Sequence, residues 1–587
     1  MNKKLLCGIN STRLALLLGL IICCSQINAQ GTWTPLNNTP SDSNVGVMLL
    51  LSDGTVISKT HTGGIDGYGI VWDKLTPDSN GSYINGTWSQ IAPMNDSRLY
   101  FSSEVLKDGR VFVAGGEYGT GGSSAEVYDP ITDTWTMAPN EGQYLGDANS
   151  EILPDGKVLE AVLGVAYYDD STIIYDPVAN KWGAVSVCHG YHAESSWLKL
   201  KDNSILFVDD GGPSTLTSER YIPSLNKWVK DANTPDSIYD NYAYESGPFL
   251  LLPDGRGFIM GATGHTAYYT PSGTVAPGTW TKGPDIPNHY GAADAPGAMM
   301  INGKILCTAS PTPDSVRGYF PSPTAYFEFD YTTNSFTQIS APTGGDTVSE
   351  PCFFTNMLDL PDGTVLYSDQ YSPYYYIYTP SGKPLAAGKP TITNVTQKNC
   401  VYTITGTLFN GISQGADYGD DWQMFTNYPI IRLRLGNKIY YARTFNWNST
   451  AVQTGSMPDT AEFTVPGNVP NGTYWLYVSA NGISSDSVAF VYKSCTTGID
   501  EMATSDFIHA YPNPASKQVD ITFKLNDGGN YMVSLTDIYG RVVKQENATA
   551  IAGNNTHSID LDGFAEGVYM IVLQKGNEIY KSKLVVK

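Results

Sequence analysis

Seven times along this chain an apolar residue is followed by Asp-Gly, or a close variant of it, and then by an apolar strand. The stretches read LSDGTVIS, LKDGRVFVAGG, LPDGKVLEA, LKDNSILFVDDGG, LPDGRGFIMGA, INGKILCTAS and LPDGTVLYSD. Their turn residues are Asp53, Asp108, Asp155, Asp202, Asp254, Asn302 and Asp362, spaced by 55, 47, 47, 52, 48 and 60 residues. A period of this length marks a repeat in which each unit buries its apolar face against the next. Gly supplies the positive φ that a two-residue hairpin turn requires, and Asn203 tolerates that conformation better than most residues.

A second signature follows each turn: an aromatic strand end and then a Trp or Phe. It occurs as EVYDPITDTW (Trp135), IIYDPVANKW (Trp182), ERYIPSLNKW (Trp228), AYYTPSGTVAPGTW (Trp280) and EFDYTTNSF (Phe336), and the first unit ends at Trp88. The seventh unit has its aromatic strand, YYIYTPSGKP, and no Trp after it, whereas Trp33 in GTWTPL has no unit before it. The N-terminal strand is therefore expected to complete the last unit and close a ring. Units of about 50 residues with four short strands each make a β-propeller of the kelch type, and the aromatic at each blade end is expected to pack rather than to touch a ligand.

Beyond Pro390 the repeat stops, and about 100 residues of short alternating strands read as an immunoglobulin-like sandwich. The expected fold is all-β: a seven-bladed kelch propeller over 30-387, the sandwich over 388-495, a linker over 496-508 and a small β-sandwich over 509-587. Before them, Lys3, Lys4 and Arg13 precede an apolar run from Leu14 to Cys24 and a polar stretch ending at Ala29. That is the layout of a secretory signal, residues 1-29, with a mature chain beginning near Gln30. Export places Cys188, Cys307, Cys352, Cys400 and Cys495 in an oxidising compartment; Cys400 and Cys495 bracket the sandwich and are the expected disulfide. The absence of C-x-x-C argues against a structural zinc site.

With 35 Lys and Arg against 57 Asp and Glu, the net charge of -22 would repel a phosphate backbone or an anionic lipid surface. Nucleic acid is excluded as a partner on this ground, an extracellular glycan remains, and a monomer is expected. In a propeller the residues just before each innermost strand gather around the axis, the usual place for a ligand. Counting eight residues back from each turn gives Val45, Tyr100, Asp147, Glu194, Ser246, Asp294 and Phe354, and nearby positions add Arg98, His192, Tyr244 and Glu245. Asp147, Glu194, His192, Glu245 and Asp294 are the candidate acid and base groups, with Arg98, Tyr100 and Tyr244 as ligand contacts. Such carboxylates can work on a glycosidic bond or bind calcium, or they can simply hold blades together. Tyr371, Tyr374, Tyr375, Tyr376 and Tyr378 crowd one segment of the seventh unit, where they would offer aromatic faces to a sugar or fill the core.

Two resemblances follow from these motifs. The ring and sandwich, with TLFNGIS, YGDD, TNYPIIRLRLGNKIYYART and VPNGTYWLYVSANGIS, resemble the galactose oxidase and glyoxal oxidase group over about residues 31 to 495. The closing segment, with AYPNPAS, LTDIYGRVV, GFAEGVYMIVLQ and KLVV, resembles the type A C-terminal sorting domain of the type IX secretion system. The second resemblance implies a bacterium of the Bacteroidota, the type IX machinery as a partner, and a secreted or cell-surface protein. The first implies a copper held by two Tyr and two His, one Tyr being crosslinked to Cys. Tyr100, in SRLYFSSEVLKDG, stands at the crosslinked Tyr, but Phe353 and Phe354 stand where a Tyr-His pair is needed. Phe445, in RTFNWNST, stands near the second His, and Asn44 or Val45 replaces the Cys. Phenylalanine cannot bind copper, so copper is not expected; no cofactor is expected, with calcium the one ion left open. The expected function is that of a secreted galactose-oxidase-like propeller that binds or acts on extracellular carbohydrate without radical copper. A copper radical oxidase and a non-catalytic adhesive or structural surface protein are the alternatives.

Overall fold

Seven antiparallel blades succeed one another along the chain in a computed structural model, six of them separate four-stranded sheets and the remaining one, blade six, part of an eight-stranded sheet. The model describes residues 30–42, 45–140, 142–147, 149–163, 171–209, 215–418, 422–494, 508–525, 527–537, 540–576 and 578–587. The expected signal (1-29), Asn44, Cys495 and nearly all of the linker lie outside the described residues. At each of the seven turns the Gly or Asn has a positive φ: Gly54, Gly109, Gly156, Asn203, Gly255, Gly303 and Gly363 lie between 65° and 91°. A side chain with a branched Cβ would be strained there, which is why the pattern repeats so strictly.

The ring closes as expected. Strand Thr32–Pro35 pairs antiparallel with Tyr375–Thr379 and becomes the outermost strand of blade seven. The blade-end tryptophans do more than fill space, because each indole N–H reaches across to the blade before it. Trp88 donates to Asn38 O, Trp135 to Ala92 O, Trp182 to Pro139 O, Trp228 to Thr172 Oγ1 and Trp280 to Ser218 Oγ, at 2.7–3.2 Å. Trp33 closes the series, donating to Ser340 O at 2.8 Å.

The sandwich sits on the turn end of the ring. Thr444 N donates to Ser52 O, Arg443 Nη2 to Asp108 O, Thr450 Oγ1 to Leu153 O and Gln453 Nε2 to Leu252 O. One apolar core runs from the inner strands of blades one and seven into the sandwich, from Met48 and Met357 to Ile404 and Phe463. A sandwich hairpin, Gly415–Tyr418 with Trp422–Phe425, enters the central channel and adds to the innermost strand of blade six, Pro296–Met299. Gln423 Oε1 accepts from Ser103 N and Ser150 Oγ, and Gln414 Oε1 accepts from Lys199 N. The hairpin thus supplies hydrogen-bond partners to inner strands that have no neighbour on the axis side.

Beside the hairpin is a cavity of about 20 Å³, room for one water, lined by Glu104, Glu151, Lys199 and Tyr428 among others. Glu151 and Lys199 are paired at 2.7 Å, whereas Glu104 receives only a 3.5 Å bond from Ser150 Oγ among the described residues. Burial, and then the facing Glu151, push the Glu104 carboxyl well above its ordinary value of 4.5. The unfolded carboxyl titrates first, so folding loses stability as pH rises from about 4.5 and the loss is complete only above the folded value. Glu104→Gln is therefore expected to match the native chain at pH 4 and to melt higher than it at pH 8, as thermal melts across that range would read; equal melts at both would place Glu104 in contact with bulk water.

Residues 508–587 form a separate unit with two antiparallel sheets. Its own core contains Val519, Ile521, Val533, Ile571 and Leu573. Cys400 is disulfide-bonded, its expected partner Cys495 lies outside the described residues, and Cys188, Cys307 and Cys352 are buried thiols.

Candidate functional site

The end of the ring opposite the sandwich is built from the segments that lead into each inner strand and from the loops between second and third strands. Three residues at the position eight before a turn, Tyr100, Glu194 and Asp294, share a left-handed backbone with φ of 52°, 53° and 47°. Tyr244 has φ 69°. Left-handed non-glycine residues carry strain and concentrate where a side chain must be aimed. Here they turn side chains toward the mouth.

Glu194, Glu245 and Asp294, from the starts of blades four, five and six, bring one carboxylate oxygen each within 4.8 Å of the others. Ser246 explains the convergence: its Oγ donates to Glu194 O at 3.2 Å and its carbonyl accepts from Asp294 N at 2.8 Å. Three ionised carboxylates at this distance repel one another, and a cation or a shared proton relieves that repulsion. Across the mouth, Gly116 N donates to Gly146 O at 2.8 Å, an approach that a Cβ on Gly115 would block, since it would lie 2.0 Å from Leu145 O. This brings Glu117 beside Asp147. Partial burial, and then the Asp147 charge, raise Glu117 to about 7, with an opposing contribution from the Tyr118 hydroxyl.

Aromatic side chains surround these acids. Of the seven exposed tyrosines among the described residues, Tyr118, Tyr144, Tyr244, Tyr319, Tyr371 and Tyr374 lie at this end of the ring, and only Tyr511 lies elsewhere. Tyr68 stacks on Tyr118 at 5.3 Å and Tyr242 on Tyr319 at 4.5 Å. Tyr375 and Tyr378 are core residues of the strand Tyr375–Thr379, whereas Tyr371 and Tyr374 stand exposed on the loop before it, so the tyrosine-rich segment divides between rim and interior.

Two expected site residues do not join the mouth. Arg98 is fully buried and its guanidinium is consumed inside blade two, donating to Gly115 O, Gly121 O and Ser124 O and pairing with Glu126. His192 is fully buried between Phe207 and Trp228, and burial lowers its pKa to about 3, which keeps it neutral. Both lie two residues ahead of the aimed position, where side chains turn into the blade. Glu117 was not among the expected residues; it follows the double Gly at the end of VFVAGG, on the loop after the second strand of blade two.

The copper positions can be tested on geometry. The Tyr100 hydroxyl donates to Gln370 Oε1 at 3.3 Å. Phe353 and Phe354 meet edge to face with ring centroids 4.2 Å apart, and the Phe354 ring lies 4.4 Å from that of Tyr371. Phe445 is not near the axis at all: it pairs with Glu462 within the sandwich, with Arg443 over its ring. The sandwich segment that enters the channel is the hairpin of Gly415–Tyr418 with Trp422–Phe425, whereas RTFNWNST lies against the turns. At the expected positions, one phenol and two phenyl rings do not make a donor set for a two-Tyr, two-His copper.

Comparison with known proteins adds two family matches. Residues 509–587 match the secretion system C-terminal sorting domain, and residues 100–140 match the kelch motif. A kelch-like protein of Aspergillus terreus is 36% identical over 73 residues, covering 11% of this chain and 16% of that protein. An F-box/kelch-repeat protein of Arabidopsis thaliana is 41% identical over 61 residues, covering 10% and 13%. Galactose oxidase of Gibberella zeae is 41% identical over 68 residues, covering 11% and 9%. The chain thus spans less than a fifth of the length of each of these curated relatives. Among solved structures, a fungal alcohol oxidase of the AA5 family in complex with copper is similar at a TM-score of 0.48 and 16% identity, over 79% of this chain and 100% of that one. The chain is an all-β, galactose-oxidase-like kelch-repeat protein that ends in a type IX sorting domain and is secreted or held at the cell surface.

Proposed function

We propose that the chain binds extracellular carbohydrate at the tyrosine-rimmed mouth of the ring, without a copper radical, and works as a monomer. The observation that carries this reading is the convergence of Glu194, Glu245 and Asp294 in the middle of a rim holding six exposed tyrosines. Aromatic faces suit the apolar side of a pyranose, and carboxylates accept from its hydroxyls. Calcium is the cation such an oxygen set would take, and its open coordination positions would accept sugar hydroxyls directly.

Titration of the mature chain against a glycan library, with calcium and then with chelator, tests the proposal. Glu245→Gln is expected to weaken the best ligand at least tenfold, about 1.4 kcal/mol, with an unchanged melt. No glycan bound under either condition would overturn it. So would stoichiometric copper with peroxide formed from primary alcohols or aldehydes, which would restore the oxidase reading.

A second reading has its own support in Glu117, held near 7 beside Asp147. A carboxyl that keeps part of its proton near neutral pH, next to a second carboxylate, is the pairing that acid and base work on a glycosidic bond requires. Release of reducing ends by the native chain, lost in Glu117→Gln, would move the protein from binder to hydrolase.

A further inference from the structure

One sheet of the sandwich differs from the rest of this acidic chain. Its strands Lys438–Phe445, Ile430–Leu435, Gly472–Ala480 and Val488–Tyr492 lie side by side in that order. These four strands contain Lys438, Arg443, Arg432 and Arg434 and no Asp or Glu, in a chain whose net charge is -22, although the sheet continues from Lys438–Phe445 into Asp459–Thr464. Arg443 and Lys438 bond to the ring at Asp108 O and Ser79 Oγ and Arg432 bonds Ser484 Oγ, so Arg434 is the exposed guanidinium. Alternation sorts the side chains cleanly: Tyr474, Leu476 and Val478 are buried, while Trp475 is 50% and Val491 62% exposed on the other face. The register sets Trp475 opposite Arg434 on one side and Ala489 on the other. Arg434 and Arg432 hold their guanidinium carbons 5.5 and 6.0 Å from the centre of the Tyr477 ring. The result is a flat apolar strip with a planar cation beside its indole.

We propose that this face binds an acidic polysaccharide, one whose sugars carry carboxylates. Trp475 would take the apolar side of a pyranose ring, and Arg434 would pair in a forked contact with a carboxylate on the same or a neighbouring sugar. Charge complementarity selects this occupant. A neutral glycan would make no use of the arginine, and the planar fork of a guanidinium matches a planar carboxylate on a sugar whose ring lies on the indole. The site lies on the sandwich rather than at the ring's mouth, so its test is independent of what the mouth binds.

The mature full chain is run through native gels containing polygalacturonate, dextran or dextran sulfate, and affinities are then measured by titration. Polygalacturonate is expected to retard the protein and dextran to leave it unaffected. Trp475→Ala and Arg434→Gln should each weaken binding at least tenfold with unchanged melting, and added salt should weaken it further. Four results would each overturn the proposal. These are no retardation by polygalacturonate, equal retardation by dextran, and retention by polygalacturonate or dextran sulfate that survives both substitutions. The fourth is a concentration-dependent dimer that Trp475→Ala dissolves, which would make the strip a contact between copies of the chain.

Discussion

Lys199→Met is expected to cost about 3–5 kcal/mol of stability, the usual penalty for stranding one partner of a buried ion pair. Lys199 Nζ lies 2.7 Å from Glu151 Oε1, both side chains are almost wholly buried, and the ammonium also donates to Thr450 O at 3.2 Å. Methionine keeps the volume but leaves Glu151 with Gln414 Nε2 and Ile152 N as its donors in the channel. One lysine thus joins blade four to blade three and to the sandwich. Urea unfolding of the native chain, the single variant and the double variant Lys199→Met with Glu151→Gln measures this. The second change removes the stranded charge and should recover more than half of the loss. A single variant within about 1 kcal/mol of native would show that water reaches the pair and screens it.

This network could not be read from the sequence, and the reason is specific. Gln414 and Gln423 look like ordinary polar residues of a sandwich, and their partners on the ring lie more than 200 residues away. Nothing local distinguishes the Gly415–Phe425 hairpin from a surface hairpin, so the stretch expected to approach the axis was RTFNWNST, whose Arg443 and Thr444 instead seat the sandwich on the turns. The ring itself was legible because its turns require positive φ at one residue, and that restricts the choice to Gly and Asn. The same geometric strictness located half of the mouth. Tyr100, Glu194 and Asp294 share one backbone conformation and one offset from the turn, so counting found them. Counting failed for Arg98 and His192, because a shift of two residues from a left-handed corner reverses which way a side chain faces. It also missed Glu117, which sits on the loop after a second strand and so outside any count made on inner strands.

Trp33→Ala is expected to cost about 3 kcal/mol, at the lower end for removing a packed aromatic, and deletion of residues 30–37 more, although both changes lie at the edge of a very large core. The indole ring packs 4.6 Å from Tyr378, 5.4 Å from Tyr367 and 5.8 Å from Tyr326, and its N–H holds Ser340 O in the link between blades six and seven. Blades one to five carry the same tryptophan within their own sequence and blade six carries Phe336 in its place; blade seven receives its tryptophan from the opposite end of the propeller, on the strand that closes the ring. Without the strand, Tyr375–Thr379 becomes an unpaired edge exposing Tyr376 and Ile377 beside it, a ready template for pairing with another chain. The variants should then differ in kind. Trp33→Ala lowers the melting midpoint by several degrees and stays monomeric, whereas the deletion lowers it further and brings concentration-dependent aggregation, as sedimentation would show. A deletion that melts like the native chain would mean that the ring is held shut by the sandwich and its hairpin alone.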